Sequence, residues 1–77
     1  MDGKIKQDEI KIGDNIRKVR KGQKIGQTEL VRMLQLQGSD MTRETLVKIE
    51  RGIQHIKATQ LKAIRDALNT TYDELLK

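Results

Sequence analysis

The sequence predicts an all-α domain of five helices, on three observations. Apolar residues recur at helical spacing along most of the 77-residue chain, no segment sustains the period-2 alternation of a strand, and there is no proline. That length allows one domain. A domain so small buries only about 60% of the surface its unfolded chain exposes, so the core must rest on a few aliphatic side chains.

Each element follows from spacing and punctuation. Ile12, Ile16 and Val19 fall at i, i+4 and i+7, the stripe of a first helix expected from Asp8 to Lys21. Gly22 is its expected stop. Residues 1–7 are expected to form a flexible polar arm, and residues 8–77 the domain. A second helix is expected over 27–37, opening at Gly26 or Gln27, with Leu30, Val31, Leu34 and Met33 on its buried face. Gly38, Ser39 and Asp40 break it. Thr42 caps a third helix, expected over 42–51, with Glu44 in the first turn where the helix dipole favours an anion. Leu46, Ile49 and part of Val47 are expected to face inward, and Gly52 to end the helix. The segment IQHIK reads as a connector. A fourth helix starts at Ala58 or Thr59 and carries Leu61, Ile64 and Leu68, with Asn69 as a left-handed stop. Thr71 and Glu74 fit a capping box for a short fifth helix bearing Leu75 and Leu76.

Composition narrows the function. Sixteen Lys and Arg against eleven Asp and Glu leave a net charge of +5 and a pI near 9.8. The excess is concentrated in residues 1–24, with eight basic residues against four acidic ones. A basic chain is drawn to polyanions, nucleic acid foremost. Tyr72 is the only aromatic residue. Single-strand and RNA modules stack bases on aromatic platforms, so duplex DNA is the favoured nucleic acid. The absence of cysteine excludes disulfides and thiol chemistry and fits a reducing cytoplasm. One histidine makes a zinc site improbable, and no metal or other cofactor is expected. The longest apolar run is two residues and the N-terminal stretch is charged, so no membrane span and no signal peptide are expected. No catalytic constellation can be placed; Asp73 and Glu74 are explained by capping.

The stretch TRETLVKIERG, residues 42–52, sets the central question. Its charges suit either a solvated surface helix or a helix presented to a partner. Four pieces in order, I-x-x-V-R (16–20), I-G-Q-T-E-L (25–30), T-R-E-T-L-V-K-I-E-R-G (42–52) and A-L-N-T-T-Y-D-E-L-L (67–76), resemble the helix-turn-helix domains of Cro and the phage repressors, the xenobiotic-response-element (XRE) type of bacterial regulator. The resemblance runs from about Ile12 to Leu76. It implies a lambda-repressor-like five-helix domain with helices 2 and 3 as the helix-turn-helix. By the same resemblance, Gln27 meets a DNA phosphate, Arg43 and Glu44 read base edges, Thr42, Thr45 and Lys48 stand at neighbouring contact positions, and Arg20 and Glu50 form a buried salt bridge. The chain departs from the pattern twice. About three extra residues lie between Gln27 and the recognition helix, so helix 2 is longer or the turn wider, and Val31 stands where the family usually has a small residue.

The chemistry supports these roles. Arg43 can bond guanine O6 and N7 together, and Glu44 can accept from cytosine N4. Thr42 and Thr45 can reach a phosphate or a thymine methyl. The N–H groups after Gln27 suit a phosphate, with Thr28 a weaker partner of the same kind. Arg17, Arg51, His55 and Lys57 can grip the backbone, and solvated surface charge is the alternative for each. Leu76 and Tyr72 either close the core or form a self-association patch. The expected function is a sequence-specific regulator of transcription, a repressor from a bacterium, phage or mobile element, in the cytoplasm at the nucleoid. It would bind a two-fold operator in double-stranded DNA as a homodimer. The alternative is an antitoxin-like or other interaction module, with a toxin or anti-repressor as protein partner and an exposed apolar patch around Leu76.

Overall fold

In the computed structural model, which describes residues 3–5 and 10–77, five helices follow one another. They are α1 (Ile12–Gly22), α2 (Gln27–Leu36), α3 (Arg43–Glu50), α4 (Ala58–Ala67) and α5 (Tyr72–Leu75). α1 packs against α3 and α5, and α2 against α3 and α4. Each long helix contributes its i, i+3/i+4 stripe to one core: Ile12 and Ile16, then Leu30, Val31 and Leu34, then Leu46 and Ile49, then Leu61 and Ile64, closed by Leu68 and Leu75. Burying one such side chain stabilises the fold by about 1.5–3 kcal/mol. Val31 is buried, so its extra bulk is accommodated where α2 meets its neighbours.

α1 to α4 end in one shared backbone turn. The N–H groups of Ile25, Ser39, Ile53 and Thr70 return to the carbonyls of Arg20, Leu34, Lys48 and Arg65 at 3.0–3.1 Å. The residue before each takes a positive φ: Lys24 (59°), Gly38 (90°), Gly52 (77°) and Asn69 (50°). Asn69 therefore stops α4 as expected. At α1 the expectation is corrected. Gly22 is still helical, and Lys24 carries the left-handed turn that a glycine would adopt more cheaply. α1 also begins at Ile12 rather than Asp8, its first helical bond running from Asn15 N–H to Lys11 O at 3.0 Å. Asp8 and Glu9 lie outside the described residues.

The wide turn between α2 and α3 is built rather than slack. α2 stops at Leu36 and α3 starts at Arg43. Between them Met41 is buried in the core, its N–H bonded to Ser39 Oγ at 3.1 Å and its carbonyl to Gln35 Nε2 at 3.1 Å. Thr42 caps α3 by accepting from Thr45 N–H at 3.2 Å.

A second correction concerns the arm and the connector. Lys4–Ile5 form strand β1, paired antiparallel with β2 (Ile56–Lys57) in the register Lys4↔Lys57 and Ile5↔Ile56. Ala58 N–H adds a bond to Gly3 O at 3.0 Å. The buried Ile56 side chain anchors β2 in the core, and β1 then pairs its outward backbone groups. The remaining residues of the expected arm, 1–2 and 6–7, lie outside the described residues.

The C-terminal end is tied back by side chains. Asn15 Nδ2 donates to Leu75 O at 2.9 Å, and Gln23 Nε2 to Leu68 O at 2.6 Å. Thr71 Oγ1 accepts from Glu74 N–H at 3.2 Å, while the Glu74 carboxylate pairs with Lys77 at 3.0 Å. The Arg65 guanidinium lies 4.4 Å from the centre of the Tyr72 ring, and its hydrogen bonds to Asp66 raise its pKa above the ordinary arginine value. Leu75 is in the core and Leu76 is half-buried against it.

Candidate nucleic-acid interface

α3 has two opposite faces, and the inner one fixes its position. Arg20 from α1 binds Glu50 through two parallel bonds, Nε to Oε2 and Nη2 to Oε1, both 2.8 Å. Its Nη1 also donates to Ile25 O at 2.8 Å. The two side chains are 8% and 2% exposed, so the ion pair is inside the protein. Gln27 Nε2, at the start of α2, donates to Glu50 Oε1 at 3.1 Å. One carboxylate thus joins α1, α2 and α3. Among the described residues, no buried side-chain nitrogen or oxygen lacks a hydrogen-bond partner.

The outer face is different in kind. Arg43, Glu44 and Lys48 are exposed on α3, and Arg51 is exposed at its C-cap. Lys48 reaches Glu44 at 3.3 Å, an i,i+4 pair in solvent. Arg17 on α1 is exposed and lines a shallow cleft with Gln27, Val47 and Arg51. Arg17, Arg43, Lys48 and Arg51 supply the cations of this surface; Glu44 stands among them, and Asp14, paired with Lys18 at 3.0 Å, and the buried Glu50 border the cleft.

Most sequence-predicted residues converge on this face, with two qualifications. The Gln27 amide is engaged with Glu50, which orients it and leaves one of its two N–H bonds for a further acceptor. The Thr42 hydroxyl caps the helix and also donates to Thr45 Oγ1 at 3.1 Å, so these two threonines first serve the start of α3. Thr28 is exposed in the first turn of α2.

Two residues were missed as part of the face. Val47, expected to turn partly inward, borders both the cleft with Arg17 and the hollow formed by Arg43, Glu44, Lys48, Arg51 and Ile53. The i, i+4, i+8 series Arg43, Val47, Arg51 could have revealed it. Ile53, just past Gly52, is 63% exposed. Its apolar type gave no signal for a polar partner.

A helix-turn-helix family model matches residues 16–75, most of the chain. The chain belongs to the helix-turn-helix family. Within it, the domain is XRE-like and lambda-repressor-like, and the protein is a DNA-binding regulator. Neither the curated proteins nor the solved structures yielded a match. Among the described residues, no helix is long and apolar enough to cross a membrane, and no group of three His, Asp or Glu side chains is placed to hold a metal ion.

Proposed function

We propose that this helix-turn-helix protein reads a specific operator in duplex DNA by laying α3 in the major groove, and that it acts as a repressor. The observation that carries the reading is the cationic outer face of α3, mounted on an inner face locked by Arg20 and Glu50. A helix fits the major groove, and residues near its N-terminus reach base edges. Arg43 then bonds guanine O6 and N7. Glu44, released from Lys48, accepts from cytosine N4, and Lys48 turns to a phosphate. Thr42 and Thr45 contact the adjoining backbone through whatever hydrogen-bonding capacity the cap leaves them.

Gln27 and Thr28 meet a backbone phosphate at the start of α2, with the helix's unpaired N–H groups behind them. Arg17 and Arg51 hold the flanking backbone. A homodimer would place two copies of α3 about one helical turn of DNA apart.

A second reading, as a protein-interaction module or antitoxin, is favoured only by Leu36, which is 82% exposed at the end of α2. Leu76, half-buried, offers it little. A single exposed leucine is ordinary on a soluble surface.

The test is selection of duplexes from a random pool by the full chain, followed by competition against random duplex. Wild type should enrich one two-fold sequence. Arg43→Ala should weaken binding by about 1–3 kcal/mol and relax the base preference at one position per half-site. No enrichment, with Arg43→Ala binding like wild type, would sink the reading.

A further inference from the structure

The strand register sets Lys4 directly across from Lys57. Both side chains are exposed. Like charges opposed across an antiparallel pair are destabilising, and a two-stranded pairing is marginal by itself. Yet β1 is docked there. Lys4, His55 and Lys57 line one surface hollow together with Ile53, Gln54 and Gln60. Among the described residues that border it, none is a carboxylate. Ile53 also borders the hollow along the outer face of α3, beside Lys48 and Arg51. The basic surface therefore continues beyond Gly52 onto the two strands.

We propose that this hollow takes a backbone phosphate of duplex DNA, and that β1 is a clamp which docks more firmly when the duplex is bound. The inference rests on the major-groove reading above. Two ammonium groups and an imidazole border this one hollow, a donor set that favours a compact, doubly accepting anion. An oxyanion between Lys4 and Lys57 turns their repulsion into a bridge. Docking of β1 and capture of the phosphate then favour one another by the same factor, as linkage requires. A DNA phosphate is the fitting source because the hollow adjoins the face where the duplex arrives. It also lies at the C-terminal end of α3, where the helix leaves the base edges and the backbone runs past.

The experiment measures binding of the duplex selected by wild type, at rising salt, for wild type, Lys4→Gln, Lys57→Gln and the exposed control Lys62→Gln on α4. Thermal melts check that each variant is folded. Hydrogen exchange follows the Ala58 amide, which bonds Gly3 O at 3.0 Å. Each phosphate contact contributes about 0.9 to the slope of log K against log salt. Lys4→Gln and Lys57→Gln should flatten that slope by up to this amount, so a fourfold rise in salt weakens them about threefold less than wild type. Their base preference should be unchanged, and Lys62→Gln should keep the wild-type slope. Duplex should slow exchange at Ala58 in wild type and leave it unaltered in Lys4→Gln. If Lys4→Gln matches Lys62→Gln while Arg43→Ala still loses base preference, the clamp is wrong and the major-groove reading stands. If poly-glutamate slows exchange at Ala58 and duplex does not, the hollow serves an acidic protein and the clamp falls. If wild type prefers no duplex, the clamp and the reading fall together.

Discussion

The inner and outer faces of α3 are built from the same eight residues and obey different rules. On the inner face Leu46 and Ile49 are wholly buried, and the Glu50 carboxylate is held by Arg20 and Gln27. On the outer face the charges are exposed, and the ion pair of Glu44 with Lys48 lies in solvent. Buried polar groups must be satisfied within the protein, whereas exposed ones exchange water for a partner at little cost to folding. Substitutions on the first face should therefore be read in stability, and on the second in binding.

The largest expected effect is on the inner face. Glu50→Ala leaves Arg20 buried without its counter-charge and should destabilise the fold by about 3–5 kcal/mol, so DNA binding is lost through unfolding. A melt at wild-type temperature would break the comparison at its strongest point. The converse is a double replacement, Arg20→Met with Glu50→Leu. Apolar residues of similar volume often substitute for a buried pair at near-neutral cost, so this variant should recover most of that stability.

Arg43→Ala sharpens the other side. Besides weakening operator binding, it should change stability by no more than about 0.5 kcal/mol, as surface substitutions usually do. A large drop in its melting temperature would mean that the outer face also carries folding energy.

Thr42 stands where the two faces meet. Thr42→Ala removes the bond from Thr45 N–H and should destabilise the domain by about 1 kcal/mol in chemical denaturation, while Thr42→Ser should keep most of it. If Thr42→Ser loses binding while remaining as stable as wild type, the threonine methyl has a contact of its own on the outer face.

The smallest effect concerns neither face. Lys24→Gly relieves a left-handed residue and should stabilise the fold by about 0.5–1 kcal/mol, the left-handed penalty being partly offset by glycine's greater freedom in the unfolded chain. Denaturant midpoints at unchanged slope would measure it.

Much of this was legible in the sequence because it is local. The stripes of α1 to α4, the Thr42 and Thr71 caps and the left-handed Asn69 each depend on residues within a turn or two. The partnership of Arg20 with Glu50, separated by thirty positions, came from the resemblance and not from periodicity. What escaped was mostly non-local. Two residues pairing with two others some fifty positions away leave no period in the sequence, so β1 read as an arm. Met41 follows a run of turn formers and falls on no helical stripe, yet its side chain is in the core. Lys24 was missed because glycine is the ordinary occupant of its conformation, and Gly22 stood close by. At the site, Arg43, Glu44 and Lys48 were singled out by the resemblance, because their charges alone suit a solvated helix face equally well. The tie from Gln27 to Glu50 was not legible, since it depends on how α2 crosses α3.

Met41 also bears on how a family can vary the stretch before its recognition helix. The start of α3 is gripped by a side chain sunk in the core, and its end by the carboxylate shared with α1 and α2. Within the peptide linking α2 to α3, it is Met41 that fixes the start of the helix, and the residues before it set only the path to that anchor. Residues added between Gly38 and Met41 would change only how far the chain travels between two anchored points, and doubling a flexible loop adds only about 0.6 kcal/mol of closure entropy. The direction in which α3 points is therefore set by the interior of the protein and not by the length of chain that leads into it.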